Sequence, residues 1–214
     1  MPSEGRASAD ASTVLILDDD ESVRQALSSL FRSVGLKVRL FASASELTGF
    51  EPPKQPSCLI LDIRLPGRSG LELQSMLAGK NLLMPLIIIT GHGDIPMSVQ
   101  AFKAGAADFL TKPFRDQDIL DAVSRAIERD RKRLEEAEAI ADLKTRYESL
   151  TPREREILDY VTRGLMNKQI AAEIGISEIT VKIHRGHVMK KMAADSLPGL
   201  VRMADALKAS KRPA

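Results

Sequence analysis

Several features of secreted and membrane proteins are absent from this chain of 214 residues. Its one cysteine, Cys58, cannot form an internal disulfide bond, which favours a reducing compartment. Its purely apolar runs are too short to cross a bilayer. Residues 1–12 are small and polar, without the apolar stretch of a secretory signal, and we expect a disordered tail there. These absences predict a cytoplasmic protein without membrane contact.

What the chain does contain is typical of a globular protein. An apolar content of 43% and a length of 214 residues are enough for one large or two small domains. The net charge of +2 is unevenly spread, because residues 1–126 carry −2, residues 127–149 carry −1 and residues 150–214 carry +5. A basic C-terminal third beside a mildly acidic front predicts a polyanionic partner for the C-terminal end alone.

The front half is organised around an apolar run, Cys58-Leu-Ile-Leu, that ends on the carboxylate of Asp62. Three other strand-like runs end on acids, a hydroxyl or an ammonium group, namely Val14 to Asp20, Leu86 to Thr90 and Asp108 to Lys112. With the alternating segment from Lys37 to Phe41 they predict five strands, and amphipathic segments between them predict helices. This alternation predicts a doubly wound parallel sheet, with the site beyond the carboxyl ends of its strands. Pro66 and Gly67, shortly after Asp62, predict the end of regular structure there.

An acid pair, a lone aspartate, a threonine and a Lys-Pro, in that order, resemble the constellation of a two-component response-regulator receiver domain over residues 13–126. The Thr90-Gly-His-Gly-Asp-Ile-Pro96 motif is most similar to the FixJ and StyR branch of the FixJ/NarL class. The resemblance implies a CheY-like α/β domain with a five-stranded parallel sheet.

The resemblance also implies that Asp62 is the phosphoacceptor and a ligand of Mg²⁺. Asp19 would be a direct ligand, Asp18 would bind largely through water, and the backbone carbonyl of Arg64 would fill another position. Oxygen donors of this kind suit Mg²⁺. A second register, in which Asp19 and Asp20 form the acid pair, stays open, although a strand followed at once by the pair favours Asp18 and Asp19.

The same resemblance assigns the switch. Lys112 would pair with one phosphoryl oxygen, and the hydroxyl of Thr90 would donate to another. Phe109 occupies the aromatic switch position, three residues before the lysine, and is also expected in the core. A cis peptide bond is expected before Pro113, as in the family. Phosphorylation would draw Thr90 inward and reshape the face beside Phe109.

That face would hold the dimer contact, with Val99 and Lys103 as its candidate residues. A homodimer would therefore form on phosphorylation.

Residues 127–149 are predicted to link the two halves as part of one long helix over 116–149, because glycine and proline are absent there. One apolar stripe recurs every seven residues, through Leu120, Ile127, Leu134 and Ala141. Asp130 and Lys144 interrupt the second stripe that a coiled coil needs. A solvated helical spacer is preferred, and a coiled coil stays open.

Residues 150–214 are predicted to be all helical. Thr151-Pro-Arg-Glu154 combines a Thr cap, a Pro in the first turn and the Glu of a capping box. The run from Ser177 to Met192 resembles the recognition helix of a LuxR-type helix-turn-helix domain. Val181, Val188 and Met192 would pack inward.

The remaining positions of this domain supply the predicted DNA contacts. Major-groove contacts are assigned to Lys182, Ile183 and Gly186, although relatives often carry a longer polar or basic residue in place of the glycine. Phosphate contacts are assigned to Thr180, Arg185, Lys190 and Lys191, with further backbone contacts from Asn167, Lys168 and Gln169. His184, expected to be partly buried, and His187 have no cysteine or acid at metal-ligand spacing, so the sequence does not indicate a zinc site.

The function that the resemblance implies is transcription regulation. A sensor histidine kinase would phosphorylate Asp62, and the homodimer would bind paired sites on double-stranded DNA and act with RNA polymerase. Beyond its own phosphoryl transfer and dephosphorylation, the receiver would not be an enzyme. One alternative is a haloacid-dehalogenase-like phosphohydrolase, since Asp18-Asp19-Asp20 offers an Asp-x-Asp start. Another is a constitutive DNA-binding protein whose receiver does not switch.

Overall fold

The computed structural model describes residues 12–65, 68–69, 83–91 and 95–210. Three sequence predictions lie wholly or partly outside the described residues: the tail over 1–12, a helix from about Gly70 to Leu77, and the centre of the Thr90–Pro96 motif. The chain divides into two compact units, Met1–Leu134 and Glu135–Ala214. Among the described helices, none combines the length and apolar character needed to cross a bilayer.

The first unit contains the predicted five-stranded sheet, in which every pairing is parallel. Its strands are β1 (Thr13–Leu17), β2 (Lys37–Phe41), β3 (Ser57–Asp62), β6 (Leu86–Thr90) and β7 (Asp108–Thr111). Their order across the sheet is β2-β1-β3-β6-β7. The chain therefore leaves β1 toward one edge and β3 toward the other, so the strand order reverses between these two central strands.

Helices follow these strands. They are α1 (Glu21–Ser33), α2 (Ala44–Thr48), α3 (Ile95–Lys103) and α4 (Asp116–Glu148). The strands alternate between two cores, so Leu15 and Leu59 pack on one face of the sheet, while Ile16 and Ile60 pack on the other with Phe31 of α1. Because β1, β3 and β6 are buried along their whole length, they appear in the sequence as continuous apolar runs.

A small hairpin corrects the expectation that regular structure ends after Asp62. Arg64–Leu65 (β4) pairs antiparallel with Arg68–Ser69 (β5). Only two residues separate these strands in the sequence, which is the shortest common hairpin connection. Regular structure therefore resumes on both sides of the two residues that separate these strands.

Helix α4 is a single helix of 33 residues, as predicted, and its first part belongs to the core of the first unit. Ile127 is buried there, and the fully buried carboxylate of Asp130 accepts a hydrogen bond of 2.8 Å from the backbone N–H of Ser57. Arg133 donates to the other oxygen of Asp130. Near the end of the helix, Leu143 packs against the core of the second unit. The stretch without core contacts is thus shorter than the predicted linker over 127–149.

The second unit is helical throughout its described part. Its helices are α5 (Pro152–Thr162), α6 (Asn167–Ile174), α7 (Glu178–Met192) and α8 (Leu197–Ala209). The predicted capping box at Thr151 and Glu154 is present, and Ser177 caps α7. Gly175 ends α6 with a φ of 68°, a left-handed conformation that glycine adopts without steric cost.

Candidate metal centre and nucleic-acid interface

The first site forms at the carboxyl ends of the two central strands. Asp18 directly follows β1, and Asp62 is the last residue of β3. Lys112 directly follows β7, so its long side chain reaches back toward the centre of the sheet. Because β1 and β3 are neighbours where the strand order reverses, their ends border the crevice in which α/β proteins bind ligands.

Lys112 connects the two carboxylates. Its ammonium group donates a hydrogen bond of 2.7 Å to Asp18 Oδ2 and one of 2.6 Å to Asp62 Oδ2. Asp18 is completely buried and Asp62 is 6% exposed. Charge-assisted hydrogen bonds of this length are strong, and they offset part of the cost of removing the two carboxylates from water.

The environment shifts the pKa values of both partners upward. Burial raises the pKa of Asp18 above its ordinary value of 3.8 and outweighs the opposing contacts with Lys112 and the backbone N–H of Asp20. Burial alone would lower the pKa of Lys112, but its hydrogen bonds to Asp18 and Asp62 outweigh that effect and raise it above 10.5. The lysine is therefore a permanent cation in this pocket at neutral pH.

Carboxylate oxygens of Asp18, Asp19 and Asp62 lie within 4.8 Å of one another. Asp19 is exposed, so this group opens to solvent on one side. Asp20 accepts hydrogen bonds from the backbone N–H groups of Ser22 and Val23 and so caps the start of α1. Three carboxylates at one opening form an all-oxygen donor set that fits a hard divalent cation such as Mg²⁺.

The other predicted receiver residues lie on β4, β6 and β7. Thr90 is completely buried at the end of β6, and its carbonyl accepts a hydrogen bond from the backbone N–H of Lys112. Phe109 on β7 is half-buried and packs against one of the two cores. Arg64 lies in β4, two residues beyond Asp62. The peptide bond between Lys112 and Pro113 is cis, as predicted.

The candidate dimer residues lie on α3, which contacts β7. Val99 is 44% exposed, and Lys103 is exposed as well. Phe102, which the sequence analysis did not single out, is 50% exposed on the same helix. Its position three residues after Val99 was the available signal, because side chains at this spacing lie side by side on a helix.

The second site is the exposed side of α7. Val181, Val188 and Met192 are buried in the core as predicted, and His184 is half-buried. The predicted DNA contacts on α7 differ in exposure. Thr180 and Arg185 are half-buried, whereas the exposed ones are Lys182, Ile183, Gly186 and Lys190. Ile179 is 74% exposed and was missed by the sequence analysis, although it lies one helical turn before Ile183.

The start of α6 lies against α7. Asn167 accepts a hydrogen bond from the guanidinium group of Arg185, which brings these two predicted DNA contacts together. Lys168 is exposed beside them. Gln169 is exposed, but its side-chain oxygen accepts a hydrogen bond of 2.8 Å from the backbone N–H of Met166 and so caps α6.

Lys191 has two hydrogen-bond partners within the second unit. Its ammonium group donates to Glu154 Oε2 at 2.7 Å and to the carbonyl oxygen of Ser149 at 3.2 Å. Glu154 is 3% exposed and needs a cation or hydrogen-bond donors in exchange for lost water. Lys191 therefore ties α7 to α5, and these contacts do not support its predicted contact with a DNA phosphate.

Comparison with known proteins identifies both halves. A model of the response regulator receiver domain matches residues 14–124, and a model of bacterial regulatory proteins of the luxR family matches residues 148–204. Nodulation protein W of Bradyrhizobium diazoefficiens is 58% identical over 194 residues, covering 91% of this chain and 86% of the relative. The transcriptional regulatory protein FixJ of Rhizobium meliloti is 44% identical over 192 residues, covering 90% and 94%. The solved structure of the response regulator StyR has 46% identity and a TM-score of 0.82, covering 91% of this chain and 98% of that one.

The chain belongs to the FixJ/NarL class of two-component response regulators. It is a DNA-binding transcriptional response regulator that combines a receiver domain with a LuxR-type helix-turn-helix domain. The acidic group at Asp18, Asp19 and Asp62 lies in the receiver of this regulator, and the exposed side of α7 lies in its DNA-binding domain.

Proposed function

We propose that a sensor histidine kinase transfers a phosphoryl group to the side-chain carboxylate of Asp62, and that this transfer controls DNA binding. In the transfer the P–N bond of the phosphohistidine breaks, a P–O bond to Asp62 forms, and the histidine nitrogen keeps the electron pair. The observation that carries the proposal is the convergence of Asp62 with Asp18, Asp19 and the ammonium group of Lys112 at the reversal point of the sheet.

The residues around Asp62 divide the work of charge neutralisation. Asp18, Asp19 and Asp62, with the carbonyl of Arg64, would hold Mg²⁺, which supplies neutralisation of the carboxylate and phosphoryl oxygens when bound. Lys112 already lies 2.6 Å from the oxygen of Asp62 and carries a charge that would pair with a phosphoryl oxygen. Such a site catalyses transfer by positioning and electrostatics, without a separate acid or base.

The switch follows from Thr90, which is buried at the end of β6 beside the site. Its hydroxyl would donate to the phosphoryl group, and Phe109 would move into the space that Thr90 leaves. This movement would reshape the face of α3 and β7, where Val99 and Lys103 form the proposed dimer contact. A phosphoryl group adds about −1.5 to −2 of charge, which is a large local perturbation for a two-state element.

In the proposed output, a homodimer binds paired half-sites on double-stranded DNA in the cytoplasm and acts with RNA polymerase. Lys182, Ile183 and Gly186 would face the major groove. Thr180, Arg185 and Lys190 would contact phosphates, together with the start of α6 at residues 167–169. The net charge of +5 over residues 150–214 supports this assignment.

The alternatives explain fewer of the observations. A haloacid-dehalogenase-like phosphohydrolase needs a further acid pair after a later strand, whereas β6 and β7 here lead to Thr90 and Lys112. A constitutive regulator with a non-switching receiver would have no use for a half-buried lysine held against two carboxylates. We therefore rank both below a phosphorylation-controlled regulator.

The decisive experiment compares Asp62→Asn with Asp20→Asn in the full chain. Asp62→Asn should abolish phosphorylation by acetyl phosphate, measured by intact mass, and should abolish dimerisation induced by beryllofluoride, measured by light scattering. Asp20→Asn should retain both, because asparagine caps a helix about as well as aspartate. Unchanged dimerisation of Asp62→Asn would reject the switch.

A further inference from the structure

A group of three ligand-type side chains lies in the second unit, outside the sites described so far. Glu154 on α5 and His184 and His187 on α7 each offer one ligand atom, and these atoms lie within 4.8 Å of one another. The two histidines are three residues apart on one helix, so their side chains lie side by side. Glu154 lies 30 residues before His184 and 33 before His187 in the sequence, and the packing of α5 against α7 brings it close to them.

The carboxylate of Glu154 is held so that one oxygen remains directed at the histidines. Oε2 accepts hydrogen bonds from Lys191 at 2.7 Å and from the backbone N–H of Thr151 at 2.8 Å. Oε1 lies 3.6 Å from His187 Nδ1. Burial raises the pKa of Glu154, but the hydrogen bonds from Lys191 and Thr151 outweigh that effect, so the pKa lies below its ordinary value of 4.5. The carboxylate is therefore ionised at neutral pH and needs to lose no proton to bind a cation.

One interatomic distance and one unpaired ring nitrogen distinguish the Glu154, His184 and His187 group from ordinary hydrogen bonding. The separation of 3.6 Å between His187 Nδ1 and Glu154 Oε1 is too long for a good hydrogen bond. Two ligand atoms that each lie about 2.1 Å from a tetrahedral zinc ion are about 3.4 Å apart, which is close to that separation. His184 Nδ1 is buried and has no hydrogen-bond partner among the described residues, and such atoms are rare because they lose water without compensation.

We propose that Glu154, His184 and His187 form a binding site for a zinc-type divalent transition-metal ion. Two imidazoles and one carboxylate are a known ligand set for zinc and leave a fourth position for water. The bound ion would join α5 to α7, the helix whose exposed side is assigned to DNA. Lys191 occupies the other oxygen of Glu154, so its positive charge weakens the site without taking a ligand position.

Calorimetric titration of the full chain with ZnCl₂, in excess MgCl₂ to occupy the acidic group of the receiver, tests this proposal. Wild type should bind one zinc ion. His184→Asn and His187→Asn should each lower the affinity for this ion at least tenfold. His92→Asn, which removes the third histidine of the chain, should bind as wild type does. The side chain of His187 is 57% exposed, so His187→Asn is the variant least expected to disturb folding.

Histidine ring NMR of the full chain provides the second measurement, with resonances assigned from the three variants. Zinc should shift the ring signals of His184 and His187 together at one equivalent and leave those of His92 in place. A shift of only one ring, zinc binding by His187→Asn equal to that of wild type, or no saturable binding would overturn the proposal.

Discussion

Each unit of the protein holds a buried carboxylate against a lysine, and the two arrangements differ in charge balance. In the receiver, the ammonium group of Lys112 is shared between Asp18 and Asp62, with Asp19 close by. In the DNA-binding domain, Lys191 meets the single carboxylate of Glu154, which also accepts a backbone hydrogen bond. The receiver pocket therefore keeps an excess of negative charge, whereas the second pair is neutral.

The pKa values report the same difference. Burial outweighs the favourable contacts of Asp18 and raises its pKa, while the contacts of Glu154 outweigh its burial and lower its pKa. An under-compensated carboxylate attracts a further cation, as a phosphoacceptor site requires. A compensated carboxylate such as Glu154 holds two helices together, and the metal ion proposed there would depend on the two neighbouring imidazoles as well. The comparison thus separates a reactive lysine–carboxylate contact from a structural one.

Removal of Lys112 should have the largest effect. Lys112→Met leaves two buried carboxylates without their cation and should lower the free energy of unfolding of the receiver by about 3 kcal/mol. Mg²⁺ should restore part of this loss, because it neutralises the same carboxylates. The midpoint in urea can be followed by the reaction of Cys58, the single thiol, which is buried in β3.

Arg115→Met is the matched control for Lys112→Met. Arg115 forms an exposed ion pair with Asp118, so its loss should leave the free energy of unfolding almost unchanged. If the two variants lose the same stability, or if Mg²⁺ restores nothing in Lys112→Met, the receiver pocket does not depend on the charge balance described above.

Adjacent lysines on α7 test the comparison within the second unit. Lys190→Ala should reduce the slope of log affinity for DNA against log salt by about 0.9, because one phosphate contact is lost. Lys191→Ala should leave that slope unchanged and lower the stability of the domain by about 1–3 kcal/mol, because Glu154 loses a charged hydrogen bond. DNA binding titrated over a range of salt gives the slopes.

Tyrosine fluorescence isolates the stability measurement, since the chain has no tryptophan and both tyrosines, Tyr147 and Tyr160, pack against the core of the second unit. A reduced salt slope for Lys191→Ala would instead show that this residue contacts a DNA phosphate.

The smallest expected effect concerns the pH dependence of stability, which should have opposite signs for Asp18 and Glu154. Asp18 has a raised pKa, so its contribution to stability is fully present below its ordinary value of 3.8 and is lost as the pH rises through its folded pKa. Glu154 has a lowered pKa, so its contribution is present above 4.5 and is lost as the pH falls through its folded pKa. Asp18→Asn should therefore stabilise the receiver at pH 7, and Glu154→Gln should destabilise the second unit.

Both differences should vanish at low pH, where each carboxyl is protonated in wild type. Urea unfolding between pH 3 and pH 7, followed by Cys58 reaction with dithiodipyridine and by tyrosine fluorescence, measures them separately. Glutamine preserves the capping box at Thr151, so the variant at 154 loses the charge but keeps the helix start. If Asp18→Asn and Glu154→Gln change the free energy of unfolding in the same direction at pH 7, the two carboxylates do not differ in charge compensation.

Much of the fold was predictable because its signals are local. The strands β1, β3 and β6 are buried throughout and appear as apolar runs, and helix caps such as Thr151 and Ser177 are marked by their residue types. The hairpin of β4 and β5 was missed because two-residue strands carry no periodicity. The contact of Asp130 with the first unit could not be predicted, because its hydrogen bond to Ser57 joins residues 73 positions apart in the sequence.

The residues of the receiver site could be predicted from the sequence more completely than those of the DNA-binding side of α7. Asp18, Asp62 and Lys112 were found because parallel strands bring their carboxyl ends to one edge of the sheet, so strand ends alone predict proximity. On α7 the sequence located the helix and its buried side. The sequence could not distinguish Lys190 from Lys191, because both are lysines at adjacent positions. They differ only in that the carboxylate of Glu154 on α5 lies next to Lys191.

By itself, the sequence determined the order of strands and helices, the residue types at the strand ends, and the basic character of the C-terminal domain, since each depends on local pattern or composition. Only the tertiary structure decided which charges neutralise one another. It placed Lys112 between two aspartates, gave Lys191 to Glu154, and brought that glutamate beside His184 and His187. The physical reason is that hydrogen bonds and ion pairs act over a few ångströms, and distances of that size between remote residues exist only once the helices and strands have packed.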